Sequence, residues 1–119
     1  MKDKNTEMRK REKLIISGNE WKEIVYIDEI MCIDAYNGKT TIHTSTDEIE
    51  TRESLLVWGD KLKSKGFWQV HKSYLVSIKY IKKIKQYELV LQNTQERIPI
   101  SRRRYSEFEK NLKEYINNY

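Results

Sequence analysis

Residues 30–44, IMCIDAYNGKTTIHT, carry the clearest structural signal in this sequence of 119 residues. Asn37-Gly38 separates two runs that are rich in strand-favouring residues, one over 30–36 and one over 39–44. A two-residue type I′ turn needs two consecutive residues with positive φ, which Asn and Gly adopt most readily. The stretch therefore predicts an antiparallel β-hairpin with Asn37, Gly38 and Lys39 at its tip.

The rest of the chain predicts more strands on both sides of this hairpin. Strand-like patterns cover 13–17, 21–34 with an interruption at Asp28-Glu29, 48–51, 70–76, 80–85, 87–92 and 97–100. Because Pro99 cannot donate a backbone hydrogen bond, the last strand should lie at a sheet edge or end there. The fold class predicted from these patterns is mainly β.

Two helical patterns interrupt the strands. Three apolar residues inside the chain recur at helical spacing, namely Leu55, Trp58 and Leu62. Thr51 or Ser54 can cap the start of this helix, and Gly66 can end it. A second helix is predicted after Ser101, a good N-cap residue, with one apolar face formed by Tyr105, Phe108, Leu112 and Tyr115 or Ile116. We expect one short internal helix and one C-terminal helix.

Composition supports one domain over 13–119, preceded by a polar tail or linker over 1–12. Hydrophobic residues make up 38% of the chain, which suffices for a core at this length. No run approaches the roughly 18 apolar residues of a membrane span, and 1–13 lacks the apolar segment of a secretory signal. Cys32 is the single cysteine, so no internal disulfide can form, and we expect a reducing, cytoplasmic location without membrane contact.

Charge is distributed unevenly along the sequence. The net charge is +5, yet residues 14–59 carry −6 and residues 60–104 carry +9. Basic segments of this kind commonly bind nucleic acid or an anionic membrane surface. A solvated face that only keeps the protein in solution explains the charge equally well, so charge alone does not decide the function.

Common catalytic and cofactor-binding patterns are absent from the sequence. It contains no C-x-x-C, H-x-x-x-H or H-E-x-x-H pattern, no P-loop and no G-x-G-x-x-G, and His43, His71 and Cys32 are a thin supply of metal ligands. Asp28-Glu29 and Asp47-Glu48 would point to opposite strand faces, so neither pair forms an acid–base dyad. Cys32 fits a small core residue. We expect no enzyme activity, no cofactor and no metal ion.

Arg102, Arg103 and Arg104 oppose the electrostatic preference of helices. They fall in the first turn of the predicted C-terminal helix, where the positive end of the helix dipole disfavours cations. Three guanidinium groups beside free helix N–H groups suit a phosphate backbone, and arginine is also the usual partner of guanine. A functional role is therefore favoured over a solvated triplet.

A polar tip is predicted between the apolar residues 67–70 and 75–76. It consists of His71, Lys72, Ser73 and Tyr74. A donor-rich loop between two packed ends can contact phosphates and base edges. Structural hydrogen bonding explains His71 and Tyr74 equally well, and the lysines over 79–85 fit a charged strand face as well as a binding surface.

Two of these segments resemble the LytTR-type DNA-binding domain, an output domain of bacterial response regulators and of some stand-alone regulators. The family pattern F-x-x-(V/C)-H-(R/K/N)-S-(Y/F)-x-V-N is matched by 67–77, FWQVHKSYLVS, with alternating isoleucines after it. A later P-x-S-R-x-x-(Y/F) pattern is matched by 99–105, PISRRRY, and an upstream stretch by 29–34, EIMCID. Ser77 departs from the usual Asn. The resemblance covers about residues 13–118.

The resemblance implies an elongated assembly of small antiparallel β-sheets that grips DNA with loops inserted in successive major grooves. Three places would supply the contacts: the hairpin tip, the middle loop and the start of the C-terminal helix. The implied DNA-binding residues are Asn37, Lys39, His71, Lys72, Ser73, Tyr74, Arg102, Arg103 and Arg104. Among them, Lys39, Lys72 and Arg103 would reach bases or phosphates, and the middle-loop residues around Lys72 would support the loop.

The resulting prediction is sequence-specific binding of double-stranded DNA by a bacterial transcription regulator of the two-component type. The expected partner is double-stranded DNA with paired direct repeats. A homodimer on DNA is left open, and so is the signal input: either a receiver domain precedes residue 1, or the chain takes its signal in another way. Two alternatives stay open. One is a general RNA- or nucleic-acid-binding protein that uses the basic 60–104 segment, with Trp68 and Tyr74 as stacking groups. The other is a protein-interaction module that uses the acidic 14–59 segment.

Overall fold

The structure is a computed structural model that describes residues 11–18 and 20–117. Its strands are β1 (Lys13–Ser17), β2 (Lys22–Tyr26), β3 (Ile30–Tyr36), β4 (Lys39–Thr44), β5 (Glu48–Thr51), β6 (Phe67–His71), β7 (Tyr74–Ser77), β8 (Ile81–Lys85), β9 (Glu88–Leu91) and β10 (Arg97–Pro99). The α-helices are α1 (Leu55–Leu62) and α2 (Arg102–Asn117). Short 3₁₀ turns cover Ile27–Glu29, Lys63–Lys65 and Ile78–Tyr80.

The strands form three small antiparallel sheets. The central sheet has five strands in the order β5-β4-β3-β7-β6, a second sheet has the order β10-β9-β8, and β1 pairs with β2. The predicted mainly β fold, with one internal and one C-terminal helix, is therefore confirmed. The principal extents are 43, 41 and 26 Å, so the assembly extends along two directions and is thin along the third.

The Asn-Gly hairpin forms as predicted. Tyr36 pairs with Lys39 across the turn, and Asn37 and Gly38 have φ values of 52° and 76°. Two consecutive positive φ values are the type I′ geometry that matches the twist of the flanking strands. Because β7 pairs with the other edge of β3, the hairpin lies within the central sheet.

The strand predicted over 70–76 is instead a second hairpin. β6 and β7 pair with each other, and their turn lies at Lys72-Ser73. The pairing shifts register between Gln69 and His71. The strand pattern missed this reversal because the turn contains neither Gly nor Pro, but the turn lies within the polar tip predicted over 71–74.

A different layer covers each face of the central sheet. On one face, Ile33, Ile42 and Leu75 pack against α1 and the β1–β2 hairpin in one apolar cluster. On the other face, Val76 packs in a second cluster with the three-stranded sheet and with Phe108 of α2. Packing on both faces fixes the strand ends, and therefore also the turns that join them.

The helix ends agree with the prediction at α1 and differ at α2. The Ser54 hydroxyl accepts a hydrogen bond from the Val57 N–H at 3.3 Å, and Gly66 has a left-handed φ of 85°. Ser101 directly precedes α2, but its hydroxyl is buried without a hydrogen-bond partner among the described residues. The Arg104 N–H donates to the Ser101 carbonyl instead, at 3.1 Å. The Ser101 N–H is bonded to Val70, which holds this residue against β6.

Candidate nucleic-acid interface

The two hairpin turns lie at the same end of the central sheet. β3 and β7 are antiparallel neighbours in which Asp34 pairs with Tyr74, so β3 ends where β7 begins. The Ala35 N–H donates to the Ser73 carbonyl at 3.0 Å, which ties the Lys72-Ser73 turn to the base of the Asn-Gly hairpin. The two turns are two strand spacings apart, or about 10 Å.

The start of α2 lies at this end as well. The Ser101 N–H donates to the carbonyl of Val70 at 2.8 Å, two residues before the Lys72-Ser73 turn. This bond places Arg102, Arg103 and Arg104 beside β6. The structure therefore brings all nine predicted contact residues together. We name residues 36–39, 71–74 and 101–104 the loop end.

The Asn-Gly tip offers polar and aromatic groups to solvent. Asn37 and Lys39 are exposed, and in the described part of the chain Lys39 has no ion-pair partner. Tyr36 is 75% exposed and pairs with Lys39 across the turn. Tyr36 was not among the predicted contact residues, because an apolar residue in a strand run is more often buried.

The middle turn is shaped by His71. Its Nδ1 accepts a hydrogen bond from the Ser73 N–H at 3.1 Å, so the ring proton is assigned to Nε2. Burial, together with the positive charges of Lys72 and Arg104, lowers the pKa of His71 below 6.5. His71 is therefore a neutral positioning residue at neutral pH rather than a cation that binds phosphate.

Other bonds hold the same turn and leave the Lys72 side chain free. The Gln69 amide donates to the Lys72 carbonyl at 3.4 Å. Tyr74 is partly buried, which raises its pKa, and its ring lies edge-on to His71 with centroids 5.8 Å apart. Ser73 acts through its backbone N–H and carbonyl. Lys72 is exposed and has no ion pair among the described residues, so its ammonium group is available to an anionic ligand from a turn that hydrogen bonds hold in place.

The three arginines have different environments. Arg102 lies over the ring of Tyr87, with its guanidinium carbon 4.8 Å from the ring centroid. Arg104 is partly buried and lines a cavity with Trp68 and Phe108. Arg103 is exposed and makes no hydrogen bond, ion pair or ring contact within the described chain. Arg103 is therefore the arginine that a ligand can engage without breaking a contact within the protein.

Tyr87 is a supporting residue that the sequence analysis missed. It was assigned to a strand, but β9 begins at Glu88, and Tyr87 follows Gln86, whose φ is 52°. The Ile100 N–H donates to the Tyr87 carbonyl at 2.7 Å, which brings the β8–β9 turn beside the start of α2. Tyr87 also packs edge-on against Tyr105, at 5.2 Å and 75°. The turn lacks Gly and Pro, so no local signal indicated it.

Several acidic groups are engaged in pairs away from the loop end. Arg11 bonds Asp28 at 2.6 Å and Glu29 at 3.0 Å, and this hydrogen bonding lowers the pKa of Asp28. Further pairs between lysine or arginine and an acidic residue are Lys61–Glu53, Lys63–Asp60, Lys65–Glu12 and Arg97–Glu88. Because basic groups of the loop end keep their charge unpaired within the described residues, this end presents positive potential to solvent.

The remaining candidate residues are structural. Cys32 is buried, and burial raises the pKa of its thiol to about 12, as befits a small core residue. His43 bonds Asp34 at 2.8 Å across the β3–β4 ladder. No group of three or more His, Cys, Asp and Glu side chains in the described ranges is arranged to hold a metal ion. Neither helix of the described chain is long and apolar enough to cross a membrane.

Comparison with known proteins gives consistent matches. The family model described as LytTr DNA-binding domain matches residues 21–113. The chain is 32% identical over 108 residues to the sensory transduction protein LytR of Staphylococcus saprophyticus, covering 86% of this chain and 42% of that protein. It is 28% identical over 106 residues to the sensory transduction protein LytT of Bacillus cereus, covering 85% of this chain and 43% of that protein.

Two further matches, one over a shorter sequence region and one to a solved structure, point to the same family. The transcriptional regulatory protein LytR of Staphylococcus aureus is 38% identical over 58 residues, 49% of this chain and 24% of that protein. A solved LytTr DNA-binding domain from Bacillus cereus superposes with a TM-score of 0.74 at 23% identity, covering 87% of this chain and 98% of that one. The chain thus spans less than half the length of the curated relatives that it matches.

Proposed function

The chain belongs to the LytTr DNA-binding domain family, and from that premise we propose that it regulates transcription by binding double-stranded DNA with its loop end. One observation carries this assignment. Lys39, Lys72 and Arg103 come from three distant parts of the sequence, yet all three lie at one end of the central sheet, Lys39 and Lys72 in its hairpins and Arg103 at the start of α2. Their charges are unpaired among the described residues. A polyanion with regularly spaced phosphates fits such an end.

We propose different roles for the residues of the loop end. Lys39, Lys72 and Arg103 contact phosphates or base edges. His71, Ser73 and Tyr74 hold the middle turn, and Asn37 supplies the positive φ of the hairpin tip. Arg102 and Arg104 add charge near the phosphates while they pack against Tyr87 and Trp68. Specificity then depends on a few free side chains on rigid turns.

We propose that the loop end contacts successive major grooves, which lie about 34 Å apart along straight B-DNA. Because the two hairpin turns are only about 10 Å apart, the proposal requires DNA that bends around this end. We propose that the duplex lies across the loop end, with the Asn-Gly tip and the start of α2 on opposite sides of the middle turn.

The wider organisation follows from the same proposal. Residues 1–12, of which 1–10 lie outside the described residues, would be a linker, and residues 13–119 would be the DNA-binding domain. A receiver domain would precede them in a two-component regulator. Two copies would occupy paired direct repeats as a homodimer on DNA, in the cytoplasm of a bacterium. The curated relatives, more than twice as long as their matched regions, provide room for an additional domain.

The general nucleic-acid-binding alternative has less support. Stacking on single strands needs exposed aromatic faces. Trp68 and Tyr74, the predicted stacking groups, are partly buried and pack against the second apolar cluster. The protein-interaction alternative is not favoured either. If the protein were such a module, charge reversal at the three arginines would leave its partner binding largely intact.

Selection of bound duplexes from a random pool tests the function. We expect recovery of a recurring sequence, and we expect excess random duplex or single-stranded RNA not to displace it. The matched control is the triple variant Lys39→Ala, Lys72→Ala, Arg103→Ala, whose fold is checked by circular dichroism. Absence of any enriched sequence with the wild-type chain, or displacement by random competitors, would contradict the proposal.

A further inference from the structure

Trp21 is an aromatic residue that the core does not use. It is 75% exposed and lies in the turn between β1 and β2, where the Gly18 N–H donates to the Trp21 carbonyl at 2.9 Å. Gly18 of this turn lines a cavity together with Gly38 and Lys39 of the Asn-Gly tip. The β1–β2 turn therefore lies next to the loop end, although it belongs to a separate sheet.

We propose that Trp21 and Lys22 form a fourth DNA contact, on the sugar-phosphate backbone that flanks the site of Lys39. This inference rests on the function proposed above and extends its interface to the β1–β2 turn. The Trp21 ring would pack on a deoxyribose, its N–H would donate to a phosphate oxygen, and the ammonium group of Lys22 would pair with a phosphate. Lys22 is exposed and has no ion pair in the described part of the chain.

The position of Trp21 favours DNA over a protein partner. Ile15 and Ile24 are each 67% exposed and pair across the middle of the β1–β2 hairpin. An exposed apolar pair of this kind suits a protein partner and not DNA, so a protein bound here would cover the middle of the hairpin. Strand pairing ends at Ser17 and Lys22, so Trp21 lies beyond it, on the side of the hairpin that adjoins the Asn-Gly tip. A duplex on the loop end is continuous with Trp21 and does not need the middle of the hairpin.

Fluorescence and affinity measurements on one duplex separate these possibilities. The probe is the duplex that the wild-type chain recovers from the random pool. Trp58 is 1% exposed and Trp68 is partly buried, so Trp21 is the tryptophan most open to a ligand. We expect DNA to change the tryptophan emission of the wild-type protein. In Trp21→Phe, most of that change should be lost.

Three variants assign the contact. Trp21→Ala should weaken binding roughly tenfold with an unchanged salt slope, because an apolar contact releases no counterion. Lys22→Ala should lower the salt slope by about one. Ile24→Ala, the matched control on the same hairpin, should bind like the wild type. Thermal melting of each variant checks that the exposed substitutions leave the fold intact.

The outcomes distinguish this inference from the proposed function. Wild-type affinity in Trp21→Ala, together with an equal emission change in Trp21→Phe, would overturn the fourth contact while DNA binding stands. Equal losses of DNA affinity in Trp21→Ala and Ile24→Ala would also overturn it, because the effect would then belong to the whole hairpin and not to a contact made by Trp21. Failure of the wild-type chain to bind any duplex would overturn both proposals together.

Discussion

Replacing Arg103 by Ala should weaken DNA binding strongly and change folding stability little. The exposed Arg103 side chain makes no hydrogen bond, ion pair or ring contact within the described chain, so its removal should shift the free energy of unfolding by no more than about 0.5 kcal/mol. Loss of a cation from the first turn of α2 even favours the helix slightly. A guanidinium group that contacts a guanine contributes about 1–3 kcal/mol, so the Kd should rise roughly 5- to 150-fold.

Fluorescence anisotropy titrations over a range of salt concentrations measure this effect. Arg103→Lys keeps the charge and loses the two-pronged geometry of the guanidinium group. If Arg103 contacts a base, the Lys variant should lose affinity for the selected duplex and discriminate less at one base pair. If Arg103 contacts phosphate alone, the Lys variant should bind almost normally and Arg103→Ala should lower the salt slope by about one.

Arg102→Ala is the matched control from the same helix turn. It removes a guanidinium group stacked on Tyr87, which should cost about 0.5–1 kcal/mol of folding stability and less binding than Arg103→Ala. Unchanged affinity and unchanged salt slope in Arg103→Ala would show that Arg103 does not contact DNA. A larger binding loss in Arg102→Ala would also contradict the roles proposed for the two arginines.

Four further predictions concern the support of the loop end and the core. His71→Ala should lower DNA affinity because the Ser73 N–H loses its acceptor, whereas His71→Asn, which can accept the same bond, should retain most of it in anisotropy titrations. The pKa of His71 is lowered from 6.5 in the folded protein, so the unfolded chain binds more protons at this residue as the pH falls. Denaturant titrations should therefore show that the wild-type protein loses stability below about pH 6.5. The loss should be smaller in His71→Asn. Trp58→Phe should lower the free energy of unfolding by about 2 kcal/mol, because the buried indole N–H donates to the Thr51 hydroxyl at 3.3 Å. An unchanged midpoint in denaturant unfolding would contradict that packing. Cys32 should resist alkylation at pH 8 in the folded protein and react once the chain unfolds, because its pKa is about 12, and rapid labelling of the native chain would show that the site is open.

Local signals predicted the parts of the fold that neighbouring residues determine. Asn37-Gly38 specified its own turn, because both residues adopt positive φ at low cost. Ser54 capped α1 with its own hydroxyl, and Pro99 lies in the edge strand of its sheet. Each of these features depends on residues within one turn of the chain, so the sequence alone was sufficient.

Contacts between distant parts of the chain were not predicted. The polar tip over 71–74 was expected, but the hydrogen bonds that hold its turn, with the His71 ring and with Ala35 of another strand, leave no pattern in the sequence. Tyr87 supports Arg102 only because β9 returns beside the start of α2. The arginine triplet was identified by its unusual place on a helix, but the separate environment of each arginine arises from tertiary packing.

The same limit applies to the exposed aromatic residues. Tyr36 and Trp21 have strand-like neighbours in the sequence, where a large apolar side chain is commonly buried. Their exposure follows from the end positions that they occupy, next to two turns that lie at the same end of different sheets. Net charge along the sequence indicated the kind of partner, but it did not indicate Lys39, a proposed contact residue that lies in the acidic part of the sequence.

NMR mapping of backbone amide chemical shifts on the isotope-labelled chain tests whether DNA binds at the loop end. On addition of the selected duplex, we predict that the largest shift changes fall at residues 36–39, 71–74 and 101–104, with small changes at Lys79, Lys82 and Lys83. Changes concentrated at those lysines, with an unaffected loop end, would contradict the account.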